Sequence, residues 1–222
     1  MDTLWGDVMC ESCRKHGRAQ YPLPWEDVPS PATFVQTAYL VFADTGPLFA
    51  AFPSGAIKPA LGFAAGVTAL SSLIGATLQH LFAPRHWAAT SPGLSSAFFT
   101  SLALDFVTSV LLIALSSGIF HAVALVLGGR GGYATALRAC CYLAAIDLLD
   151  TLGDAADVLM SGSTLVLVLG AIALFFVAWA LTLVGEHRYA LTRARAVTAA
   201  LSPILGAALL VAGLIALSAR LK

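Results

Sequence analysis

Two long apolar runs meet at Gly128-Gly129-Arg130-Gly131-Gly132, inside HAVALVLGGRGGYATALRACCYLAA, residues 121–145. Glycines packed this densely around one arginine cannot continue a helix, because glycine loses more conformational freedom on ordering than any other residue. The runs on either side are too long for the core of a small soluble domain, whereas about 20 apolar residues cross a bilayer. A tight turn joining two membrane helices satisfies both constraints. Such a turn is expected to need positive φ at Gly129 or Gly131.

The 222 residues are 59% hydrophobic and 11% charged, where soluble domains carry roughly 25% charged residues. That deficit implies an integral membrane protein. The apolar runs are continuous rather than alternating, which argues against barrel strands and for helices, whose backbones hydrogen-bond internally in lipid. A formal net charge of zero leaves no basic field for nucleic acid.

The expected fold class is therefore all-α: a polytopic bundle of five transmembrane helices preceded by interfacial amphipathic helices. The spans are read at 57–82, 100–127, 133–158, 163–185 and 197–219. Residues 1–30 read as a cytoplasmic cap and linker, where Pro22, Pro24, Pro29 and Pro31 oppose a long helix and no apolar stretch suggests a cleaved signal. Residues 31–54 are apolar and aromatic but broken at Gly46-Pro47, so each half is too short to cross. Phe34, Tyr39, Phe42, Phe49 and Phe52 suit helices lying in the interface. Residues 55–222 form the membrane domain, in which Gly62, Gly66, Ser71, Ser72 and Gly75 of the first span and Gly206, Ala207 and Gly213 of the last let helices approach closely.

Lys and Arg set the orientation. With the N-terminus inside, nine fall on the inner side (Arg14, Lys15, Arg18, Lys58, Arg130, Arg138, Arg188, Arg193 and Arg195) and three outside (Arg85, Arg220 and Lys222). The bias implies a cytoplasmic N-terminus and an outer C-terminus. Arg138, about a turn into the third span, is expected to snorkel to the inner surface.

The hairpin residues His121, Gly128, Gly129, Arg130, Gly131, Tyr133, Arg138 and Tyr142 resemble the central hairpin of the Yip-domain family, the Ypt/Rab-interacting membrane proteins and their bacterial relatives. GEHRYALTRARAVTAALSPIL, residues 185–205, resembles that family's fourth loop. PLPWEDVPSPATFVQTAYLVFADTGPLFAAFP, residues 22–53, resembles the segment before its first span. The resemblance runs over about residues 22–219. It implies a five-helix domain that binds and organises other components in membranes, here of bacterial type in the inner (plasma) membrane. The family's prolines near the outer end of the third span are missing from Ile146 to Asp154, so what they imply is not carried over.

Three constellations bear on chemistry. Asp147, Asp150, Asp154 and Asp157 recur at helical spacing and share one face, with Asp105 of the second span placed to oppose them. They form either a cation or proton site, or a wet amphipathic segment beyond a span that ends near Leu149. Cys10-x-x-Cys13-x-x-His16 offers three zinc ligands where a structural site wants four, so bound zinc, and any cofactor, is not expected. Cys140 and Cys141 read as small core residues. No nucleophile-base set, HExxH, GxSxG or phosphate loop occurs, which argues against an enzyme.

The expected function is a non-enzymatic scaffold or partner-binding module, with the bilayer, other membrane or cytoplasmic proteins, or copies of itself as partners. The alternative is a cation- or proton-coupled transporter or channel using Asp105 and the third-span acids. A cavity near the midplane that holds those acids separates the two, because a scaffold needs none.

Overall fold

The prolines near the N-terminus start helices. In the computed structural model, which describes residues 23–52, 55–82, 96–149, 151, 153 and 163–220, Pro24 opens α1 (Pro24–Asp27) and Pro31 opens α2 (Pro31–Ala43). A helix's first N–H has no intrahelical partner, so proline sacrifices nothing there. Ser30 and Thr33 cap α2 reciprocally: the Thr33 N–H donates to Ser30 Oγ at 3.2 Å and the Ser30 N–H to Thr33 Oγ1 at 2.9 Å.

The next break falls at Asp44, not at the expected Gly46-Pro47. Asp44 ends α2 and starts α3 (Thr45–Ala50), and Gly46 and Pro47 sit in the first turn of α3, where proline is tolerated. α3 turns one side inward: Leu48 and Phe49, with Phe52 just beyond, have 0% exposure, while Pro47 is exposed. A helix this short cannot hold together alone, and burial of that side supports it.

Five longer segments follow: α4 (Ile57–Phe82), α5 (Ser96–Val126), α6 (Tyr133–Leu143), α7 (Ser163–Arg188) and α8 (Arg193–Arg220). Every regular element among the described residues is helical. Ile57–Leu78, Phe98–Val126 and Thr164–Arg188 are long and apolar enough to cross a membrane. The expected third span is α-helical for only 11 residues, then tightens into a 3-10 turn at Ala144–Ile146. It is helical again at 147–149, and 150, 152 and 154–158 lie outside the described residues. In α8 the helix passes through Pro203. Proline cannot donate to the Ala199 carbonyl, and Ser202 Oγ donates to it instead at 2.7 Å.

α4 packs on α5 and α6, α5 on α6 and α8, and α7 on α8 and α3. Leu104, Leu111 and Leu115 of α5, Leu167 and Phe175 of α7, and Leu209 of α8 are exposed. Water would penalise such bands, whereas lipid accepts them. The buried aromatics gather where α5 turns into α6, an end called here the hairpin end. There Phe63 lies 5.1 Å and Phe52 5.9 Å from the Tyr142 ring, centre to centre.

The helices α1 to α3 cap this same end. Trp25 Nε1 donates to the Pro59 carbonyl at 2.7 Å. Gly62 and Gly66 face helices of the cap: a Cβ on Gly66 would lie 3.0 Å from the Phe34 ring of α2, and one on Gly62 would lie 3.7 Å, an ordinary contact, from Trp25 of α1. Gly66 makes room for the Phe34 ring.

Candidate functional site

The hairpin turn is built on glycine for two different reasons. Gly128 alone in the turn has positive φ, +91°. Its N–H bonds the Leu125 carbonyl and the Gly129 N–H the Ala124 carbonyl, both at 2.9 Å, which closes α5 in a Schellman arrangement. Gly129 and Gly131 are needed for space, not for the positive φ expected of them. A Cβ on Gly131 would sit 2.6 Å from the Tyr189 ring, and one on Gly129 2.7 Å from the Ala124 carbonyl oxygen.

Tyr189 fills that space from the loop between α7 and α8. It is fully buried, and its carbonyl accepts the Arg130 N–H at 3.0 Å. Its hydroxyl donates to the Gly132 carbonyl at 3.0 Å and lies 2.8 Å from His121 Nδ1. A hydroxyl has one proton, so His121 supplies the proton of that second bond. Burial pushes the Tyr189 phenol up, which keeps it a neutral hydroxyl. Arg195 reaches back to the Leu127 carbonyl at 3.0 Å, while Arg130 itself is exposed.

Arg138 does not snorkel. It is 2% exposed and ion-paired to Glu26 of α1, with its guanidinium carbon 5.6 Å from the centre of the Phe52 ring. Tyr142 donates its hydroxyl to the same Glu26 oxygen at 2.7 Å. The cap covers this end of the bundle, so the guanidinium meets a carboxylate before it meets water. Arg188 is tied to the cap as well, through the Phe52 carbonyl.

The other constellation lies further along the helices. A cavity of about 550 Å³ is bounded by all five longer segments. At about 1.5 Å per residue its walls run from roughly 10 Å (Cys140) to roughly 30 Å (Asp105) above the hairpin. Asp105 and Asp147 both line it, joined by Ser71, Ser72, Ser109, Ser116 and Thr151. Asp105 is exposed and Asp147 half-buried, so the cavity is not sealed. No Lys, Arg or His is among its described lining residues.

Asp105 and Asp147 thus line one cavity. Asp150, Asp154 and Asp157, and the trio Cys10, Cys13 and His16, lie outside the described residues. Among the described residues no three His, Cys, Asp or Glu side chains form a metal-holding group. Cys140 and Cys141 are buried free thiols, and Cys140 floors the cavity.

Sequence reasoning missed Glu26, Tyr189 and the Ser71-Ser72 pair. Glu26 had a signal: an arginine a turn inside a span needs a carboxylate, and Glu26 is one of few acids near that level. Tyr189 had none beyond lying in the loop that resembles the family's. Compared with known proteins, the chain matches no family model, no curated protein and no solved structure.

Proposed function

We infer that the chain is a five-span protein of the Yip-domain type, set in a bacterial inner membrane, that binds a cation at the cavity holding Asp105 and Asp147 and carries it, or a proton, across the bilayer. It is not an enzyme on this reading. The observation that carries it is one cavity, bounded by every long segment, with both carboxylates on its walls. Carboxylates at membrane depth are expensive unless they serve a site, and sites near the midplane between helices are the transporter pattern. With the N-terminus inside, the hairpin end faces the cytoplasm and the cavity runs from the inner third of the bilayer, across its midplane, to the outer side.

The Yip-type assignment draws support from position. The three stretches that carry the resemblance converge at the hairpin end: Glu26 meets Arg138 and Tyr142, Phe52 meets Arg188, and Tyr189 meets Gly129, Gly131 and His121.

Reconstituted vesicles test the transport reading. A cation- or pH-dependent flux in the native protein, lost in Asp147→Asn and Asp105→Asn forms that still fold, is the expected result. Absence of any such flux, with native and variant proteins alike, would remove it. A scaffold is the second reading, and it draws on α2. That helix has no charged residue and leaves Val35 and Tyr39 exposed beside Val28, an apolar strip open to the bilayer interface or to a protein partner.

A further inference from the structure

We propose that the two turns at the hairpin end form a binding surface for an anionic phospholipid of the adjoining leaflet. Arg130, Arg193 and Arg195 hold its phosphate, and an acyl chain lies along α8. This stands apart from the cation reading, because no residue of either turn lines the cavity.

The fold gathers the charges. The turn at 127–132 and the stretch at 185–195 together hold four arginines and a single carboxylate, Glu186. Two bonds tie these segments side by side: the Arg130 N–H donates to the Tyr189 carbonyl, and the Arg195 guanidinium to the Leu127 carbonyl, each at 3.0 Å. The Tyr189 ring, seated against Gly129 and Gly131, fixes their register. Arg188 turns away to the cap, at the Phe52 carbonyl. The other three arginines are exposed. Arg193 has its side chain 87% exposed and reaches Glu186 only at 4.0 Å, the outer limit of an ion pair and a weak contact at a surface. Among the described residues no carboxylate is ion-paired with Arg130 or Arg195.

The residue type selects phosphate. A guanidinium presents its N–H groups as a planar fork that matches phosphate oxygens. Arg195 uses one of them on Leu127, which anchors the fork over the turn. Basic clefts between membrane helices at a bilayer surface are where anionic headgroups settle.

The helix below selects a lipid over a free anion or an acidic protein. Arg193, Val197, Leu201, Leu205 and Leu209 follow one another at four-residue spacing along α8, and all are exposed. Residues so spaced lie above one another on one helix face. The apolar part of that lane, from Val197 to Leu209, is about 18 Å long, against roughly 15 Å for the hydrocarbon of one leaflet. Val126, one residue before the carbonyl that Arg195 holds, is 86% exposed as well. A cationic end above an apolar lane repeats the order of a phospholipid, head and then chain.

The test uses the full chain, delipidated in neutral detergent, and measures binding and melting. The probes are phosphatidylglycerol, phosphatidylcholine with the same chains, glycerol 3-phosphate without chains, and hexaglutamate. Expected is saturable phosphatidylglycerol binding that raises melting and weakens with salt, with phosphatidylcholine and glycerol 3-phosphate each at least about tenfold weaker. Arg130→Gln and Arg193→Gln, both at exposed side chains, should each weaken phosphatidylglycerol about fivefold. Lys58→Gln, at an exposed cation of the same end outside both turns, should leave it unchanged. Equal binding of the two lipids would overturn the proposal. So would an equal loss in Lys58→Gln, which would mean that any charge at this end serves. Glycerol 3-phosphate binding as tightly as the lipid would mean an anion site without the lane, and hexaglutamate binding more tightly would assign the surface to a protein; either result overturns it.

Discussion

The two ends of the same helices treat buried polar groups differently. At the hairpin end most are tied to one another: Glu26 to Arg138 and Tyr142, Tyr189 to His121 and Gly132, Arg195 to Leu127, although the Nε atoms of Arg138 and Arg188 make no hydrogen bond there. Around the cavity, Asp105 is exposed and the Ser71 and Ser72 hydroxyls have no hydrogen-bond partner among the described residues. A satisfied network rigidifies and specifies a structure, whereas an unsatisfied one is a cost that a ligand can relieve. The contrast separates the part of the molecule that holds the bundle together from the part that awaits something.

Glu26→Ala should give the largest effect. It takes a carboxylate away from a guanidinium that is 2% exposed, and breaking a buried pair from one side costs about 3–5 kcal/mol. Detergent melting should fall accordingly. The double replacement Glu26→Leu with Arg138→Met should recover most of the loss, because the buried charge is then gone. If Glu26→Ala melts like the native protein, the hairpin end is not the locked end.

Next in size is Gly131→Ala, at about 1–3 kcal/mol, since the added methyl must displace the Tyr189 ring from 2.6 Å. Gly75→Ala on the cavity wall meets nothing within 4 Å and should leave melting unchanged or slightly raised, because alanine favours a helix. Equal costs at the two glycines would erase the distinction between a packed end and an open one.

Apolar runs are local signals, and they locate the long helices to within about a turn: 57–82 became Ile57–Phe82, and 197–219 became Arg193–Arg220. The site was legible in part for the same reason. The helical spacing of Asp147 and its neighbours, and the depth of Asp105, are readable along the chain. What stayed hidden is pairing across distance. Glu26 and Arg138 lie 112 residues apart, and nothing local marks them as partners. The reason for Gly131 was equally invisible, because it is the ring of Tyr189 arriving from another loop. The Asp44 break was misplaced because Gly-Pro is usually a stop, yet both residues are tolerated in a first turn.

A smaller, stabilising effect should come from Ala190→Gly. Ala190 holds φ of +55° where α7 turns into the loop, a left-handed conformation that costs a residue with a Cβ about 1 kcal/mol. Ala190 is exposed, so nothing is lost with the methyl. Melting should rise slightly, and by the same amount in a Glu26→Ala background if the strain is local. A rise that vanishes in that background would couple the loop to the cap, and the locked end would be one cooperative unit.

The smallest change in stability should come from Asp105→Asn, and it tests the open end directly. Asp105 is exposed on the cavity wall. A carboxylate that contributes to holding the bundle would lose a partner on becoming an amide, as Glu26 would. A carboxylate that only faces a wet cavity loses nothing of that kind, and relief of its repulsion with Asp147 works slightly in favour of the variant. Exposed substitutions away from such features stay within about 0.5 kcal/mol. Melting of Asp105→Asn should therefore match the native protein while cation binding falls. A drop of about 2 kcal/mol or more would mean that Asp105 anchors the fold as Glu26 does. The cavity would then belong to a second locked region rather than a site, and the scaffold would become the better reading of the molecule.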